Sequence, residues 1–299
     1  MLSRRTGFSL IELLVVIGVI SVLVGLTLSA VQKVRAAAGR AKCQANLRQV
    51  VLGLQLYHDS QDRFPMGNAG FNPLPQSACQ SLGWQAWLLP YLEQQSLWAT
   101  IAPAYRASPS PFYGRIHTGL GTSIPLFICP ADGRLYATTT AYDSAYPALT
   151  DYLGVAGTNY QTNDGILFAK SAVRIADVTD GTSNTLIVGE RPPGSTGLAF
   201  GWWYAGVGQD LNGSCDMILG TREVNRSTSG AAVSCPGGPY GLQPGQLADP
   251  CAVFSFWSLH ADGANFAFAD GSVHFLSYSA NPLLPALGTR AGGEAVAVP

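Results

Sequence analysis

Apolar residues run almost unbroken from Phe8 to Val31, with Glu12 the one charged residue among them and Arg4 and Arg5 just ahead. A helix crossing the hydrocarbon core needs about 20 apolar residues, so the run is long enough to span. Polar residues enter after Val31, yet a helical period persists. Val31, Val34, Ala38, Ala41 and Ala45 make one stripe, which Leu47, Val50, Val51, Leu54 and Tyr57 continue. Neither proline nor a turn dipeptide intervenes before Asp59. The pattern predicts a single helix from Phe8 to about His58, roughly 75 Å long at 1.5 Å per residue. Residues 8–31 would lie in lipid. Residues 32–58 would be amphipathic, packed through 34–57 on a globular head.

Beyond Asp59 the rhythm changes. Trp84, Trp87, Leu88, Tyr91, Leu92 and Trp98 recur at helical spacing around Pro90, a stripe better suited to a core than to a ligand platform. Short strand-like runs then alternate with turns: 125–129, 152–156, 166–169, 185–189, 202–207, 253–259, 265–269 and 273–278. Residues 208–250 read as a long variable loop and 281–299 as a loose tail, leaving 59–280 as the head. The fold class expected is α+β, a lollipop with one long N-terminal helix packed on an antiparallel β-sheet.

Composition sharpens this. The 34 glycines and 19 prolines suit many turns between short strands. Seven of the 17 Lys and Arg residues lie in 1–58, leaving the head with a net charge near −7. An acidic head argues against nucleic acid as a partner, since that footprint is basic. Six cysteines without a C-x-x-C pair fit disulfides formed outside the cytoplasm better than zinc or redox motifs. His260 and His274 have no Cys/His spacing that would mark a zinc site.

Glu12 separates the possible readings of the N-terminus. A carboxylate within a membrane helix costs on the order of 2.5–3.5 kcal/mol and is kept mainly where it has a partner. Cutting after Gly7 would supply one, the new amine of Phe8. Gly7-Phe8-Ser9-Leu10-Ile11-Glu12-Leu13-Leu14-Val15-Val16 resembles the class III leader of type IV pilins and type II secretion pseudopilins. The resemblance implies that residues 1–7 are a leader, that a prepilin peptidase cuts between Gly7 and Phe8 and methylates Phe8, and that Glu12 serves assembly with other pilin-like subunits. It further implies an inner-membrane, single-pass protein with a cytoplasmic N-terminus and a periplasmic head, destined for an envelope filament or the cell surface.

The head carries a second resemblance. Asn46-Leu47-Arg48-Gln49, Tyr57-His58-Asp59, Phe127-Ile128-Cys129-Pro130-Ala131-Asp132 and Ile175 to Thr185 follow in the order of DUF1559, a bacterial family of unknown function. Its prepilin-processing-associated signature, His followed after nine residues by Asp-Gly, is matched by His260, Asp270 and Gly271. Cys43 and Cys129 lie in segments matching the family, which implies a disulfide tying helix to head. Cys215 with Cys235 is the second pairing expected. Asp270-Gly271 between two alternating runs suits a type I′ hairpin turn. Asp262, Asn265 and Asp270 offer oxygen ligands close in sequence, so calcium is the one cofactor considered, although no EF-hand spacing is present.

Catalytic motifs are lacking: neither a G-x-S-x-G elbow, nor a P-loop, nor H-E-x-x-H occurs. The chain is expected to be no enzyme but a structural subunit that polymerises through its N-terminal helix into a pilus or secretion pseudopilus. The alternative is a membrane-anchored binding module, with the aromatic segments of the head stacking on carbohydrate.

Overall fold

The computed structural model describes residues 10–70, 79, 81–112, 116–134, 147–194, 200–226, 234–294 and 296. Helix α1 runs without interruption over Leu10–Gln61. Its N-terminal half is strongly apolar, and the 18-residue stretch apolar enough to cross a membrane is unburied among the described residues. Burial begins at Cys43 and then follows the helical period through Asn46, Leu47, Val50, Val51 and Leu54. The stripe expected from residue 34 is therefore shorter: Val34, Ala38 and Ala41 are exposed, because the sheet ends below them.

The head is built on five strands, β1 (Tyr152–Gly157), β2 (Leu186–Glu190), β3 (Ile218–Gly220), β4 (Gly263–Phe268) and β5 (Val273–Ser277). They lie in the order β3-β1-β2-β4-β5. Three of the pairings are antiparallel and β1 with β3 is parallel, so the sheet is mixed, not antiparallel throughout. Alternation along the strands divides two cores. On one face Tyr152, Ala156 and Ala267 meet α1 and the tryptophan-rich segment. On the other Leu153, Val155, Phe266 and Phe268 meet Phe254, Phe256, Leu284 and Leu287. Both faces being covered explains why β1, β2 and β4 are buried at every position.

The tryptophan segment forms α2 (Trp84–Trp87), a single 3-10 turn at Leu89–Tyr91 and α3 (Gln95–Ala107). Trp84 is fully buried and donates its indole N–H to the Met217 carbonyl at 2.9 Å. Several expected strands are something else. Pro125–Phe127 and Pro250–Phe254 are 3-10 turns, each opened by a proline that pre-sets φ while lacking the N–H a strand ladder needs. Runs 166–169 and 202–207 contribute only isolated bridges. Conversely, the stretch 208–250 supplies β3, and Met217, Ile218 and Leu219 are core. The segment after residue 281 also packs: α4 (Leu284–Gly288) buries Leu284 and Leu287 completely.

Candidate functional site

Gly7 and Phe8 lie outside the described residues. Glu12 stands exposed in the first turn of α1, at the far end of the helix from the head. Where the helix enters the head, it is held by several side chains. Gln44 Nε2 donates to Asn265 Oδ1 at 3.0 Å, and Asn46 Nδ2 to the Ile128 carbonyl at 3.0 Å. The Arg40 guanidinium lies 4.8 Å over the Phe275 ring. Cys43 and Cys129 are joined there, with Cα atoms 5.1 Å apart, so a covalent bond fixes the helix to the loop after Pro125–Phe127.

A compact polar group surrounds that bond. Glu190 ends β2 and is almost fully buried; its carboxylate accepts the Asn265 backbone N–H at 2.7 Å and the Asn265 Nδ2 at 3.0 Å. His260 precedes β4 and has its backbone N–H on Ser258 Oγ. Its Nε2 lies 3.4 Å from Cys129 Sγ and 3.6 Å from Glu190 Oε1. Asp151 completes the group. Its Oδ2 accepts the Cys129 N–H at 2.7 Å, while its buried Oδ1 has no hydrogen-bond partner among the described residues. Burial, and next the neighbouring Asp132, push the Asp151 carboxyl well above the ordinary carboxylate range, against the Cys129 N–H bond. Asp151, Glu190 and Cys129 line a narrow crevice with Pro192, Ser258 and Leu259, too tight for a water molecule.

The signature His260-x9-Asp270-Gly271 divides between two places. His260 belongs to the buried group, whereas Asp270 and Gly271 turn the β4–β5 hairpin at the other end of β4. The Gly271 N–H bonds the Phe268 carbonyl and Gly271 has φ +94°, but Asp270 is not in the left-handed region. The turn is thus type I followed by a left-handed glycine, not type I′. The calcium candidates, Asp262, Asn265 and Asp270, are not gathered at one place by this geometry. Asp262 and Asp270 are eight steps apart along a mostly extended stretch, about 3.3 Å each, which spreads the three side chains along the strand. Asn265 Oδ1 is taken by Gln44 and Asp270 Oδ1 by the Ser272 N–H. His274, on β5, packs edge-on against Phe268 instead of joining His260. Sequence spacing hid the group as a whole because its members come from positions 43, 129, 151, 190 and 260; the family resemblance pointed at Cys43, Cys129 and His260, and nothing pointed at Asp151 or Glu190.

The second expected pairing is also corrected. Cys235 bonds Cys251, and Cys215 is a free buried thiol. Cys215 follows the Gly213 turn into β3, and its thiol lies beside Ser214 Oγ, 3.6 Å away, and Gln209. Burial raises its pKa well above that of an ordinary thiol. Nearby, the Arg191 guanidinium is fully buried and donates to the carbonyls of Cys215 and Phe200. Asp216 Oδ2 accepts the Val207 and Gly208 N–H groups at 2.8 and 2.7 Å. Burial pushes the Asp216 carboxyl up to about 7.

Comparison with known proteins bears on both ends of the molecule. Residues 2–28 match the family described as the prokaryotic N-terminal methylation motif, which makes the chain prepilin-like. No curated protein and no solved structure matches the chain. Residues 32–283, from mid-helix through β5, match "Protein of unknown function (DUF1559)", and the chain belongs to that family.

Proposed function

We propose that the protein is a pilin- or pseudopilin-like structural subunit, cut by a prepilin peptidase between Gly7 and Phe8 and assembled through α1 into an envelope filament or secretion pseudopilus. The observation that carries this reading is α1 itself: apolar on all sides from Leu13 to Val31, continuous with the head, and bearing one carboxylate near its start. A plain anchor has no use for Glu12. A subunit does, because a neighbouring helix can present the cleaved Phe8 amine to it, and misaligned packing leaves both charges unpaired in lipid at a cost of several kcal/mol. The N-terminus stays cytoplasmic and the head faces the periplasm.

Glu12→Ala tests this. The variant should still be cut, remain in the inner membrane and be absent from sheared filament fractions, all read by immunoblotting. Assembly equal to the parent would defeat the polymer reading and favour a membrane-anchored binding module that uses the leader for delivery alone.

A further inference from the structure

The atoms around the helix–head bond have the makings of a second, metal-held state. The Sγ atoms of Cys43 and Cys129, a ring nitrogen of His260 and a carboxylate oxygen of Glu190 all lie within 4.8 Å of one another. His260 Nε2 faces Cys129 Sγ at 3.4 Å and Glu190 Oε1 at 3.6 Å. One N–H can aim at only one of these, and the carboxylate contact is longer than a good N–H···O bond of about 2.7–3.2 Å. A tetrahedral zinc ion with bonds of about 2.0–2.3 Å would hold its ligand atoms about 3.3–3.8 Å apart. Both distances fall in that interval, the spacing of ligand atoms about one ion.

We propose that reduction of the Cys43–Cys129 disulfide turns this group into a closed zinc site, with the two thiolates, His260 Nε2 and one Glu190 oxygen as its four ligands. A dithiol reductant supplies two electrons and two protons to the disulfide and leaves as its own disulfide. Zinc then displaces the two thiol protons to solvent and binds both sulfurs. Two sulfurs, an imidazole and a single carboxylate suit zinc; calcium and magnesium take six or more oxygens. The outer partners already stand in place. Asn265 holds the Glu190 carboxylate with two N–H groups, and Gln44, next to Cys43, holds Asn265. The crevice leaves no room for water, which suits a structural ion and not a catalytic one. The helix would stay tied to the head in either state, by a disulfide when oxidised and by zinc when reduced.

The test uses the full chain in detergent, reduced with a phosphine and titrated with zinc or with cobalt as a spectroscopic probe. The reduced protein should take one equivalent of zinc in competition with a chromophoric chelator and give the visible bands of tetrahedral thiolate cobalt. The oxidised protein should do neither. His260→Ala and Glu190→Gln should each weaken zinc at least about tenfold. Cys235→Ser/Cys251→Ser and His274→Ala should keep it, which separates this site from the other thiols. Circular dichroism of each variant in the oxidised state, where no metal is involved, shows whether it folds. His260→Cys restores a soft donor and should retain the ion with an altered cobalt spectrum. A reduced protein that takes no zinc, or whose zinc survives both His260→Ala and Glu190→Gln unweakened, would overturn the proposal.

Discussion

Asp216 shows how much a single residue can set the pH response of the head. Its carboxyl has an ordinary value of 3.8 in the unfolded chain and is pushed by burial to about 7 in the fold. The folded state therefore holds a proton that the unfolded state has released, and stability falls as pH rises from about 4 to about 7. The shift is worth roughly 4 kcal/mol at most. Asp216→Asn keeps an oxygen for the Val207 and Gly208 N–H groups and removes the titration, so denaturant midpoints measured from pH 4 to 8 should form a flatter profile than the parent's. A profile parallel to the parent's would remove Asp216 as the source. Nothing in the sequence singled out this aspartate, because its environment comes from turns around residues 201–208 and from Arg191, all remote or irregular. Glu12 was legible for the opposite reason: a lone charge in an apolar run stands out without any tertiary information.

Among the elements, those built on long periodic patterns could be read and those built on a few residues could not. α1 follows from an apolar stripe sustained over dozens of positions, and the β4–β5 hairpin from two alternating runs about Asp270-Gly271. β3 has three residues, too few to show a period, and it pairs with β1 in parallel through contacts with no local signal. Proline redirects two of the expected strands: 125–129 opens with Pro125, and 253–259 loses its first two residues to a 3-10 turn that Pro250 starts upstream. α4 reads as tail in the sequence because Ala, Gly and Pro surround it, yet Leu284 and Leu287 fill the core behind β1 and β2. Leu287→Ala should cost about 2–5 kcal/mol in chemical denaturation, as large-to-small changes in a filled core do. A loss below about 1 kcal/mol would mean that the segment is dispensable.

At the scale of the whole molecule, the lollipop architecture was legible from hydropathy and turn chemistry, while the convergence of Cys43, Cys129, Asp151, Glu190 and His260 was not, since five distant segments assemble it. The position of the Cys43–Cys129 bond has a mechanical consequence. Leu10 to Ala38 stands clear of the head as a lever about 45 Å long, and the bond sits near its fulcrum, one turn inside the Arg40–Phe275 contact. Tension along α1 would pass at residue 43 into the loop at residue 129, bypassing the packed turns from Asn46 to Leu54, which would otherwise slide in shear over β4 and β5. The 86-residue separation between the two cysteines would then be shielded from extension. Pulling one molecule between its helix and its C-terminal side should therefore give a contour length about 300 Å shorter when oxidised than when reduced and metal-free. Equal lengths would mean that the load takes another path. The bond makes the shaft and head a single stressed member, so a retracting or piston-like assembly could pull on the helix without peeling it from its own head.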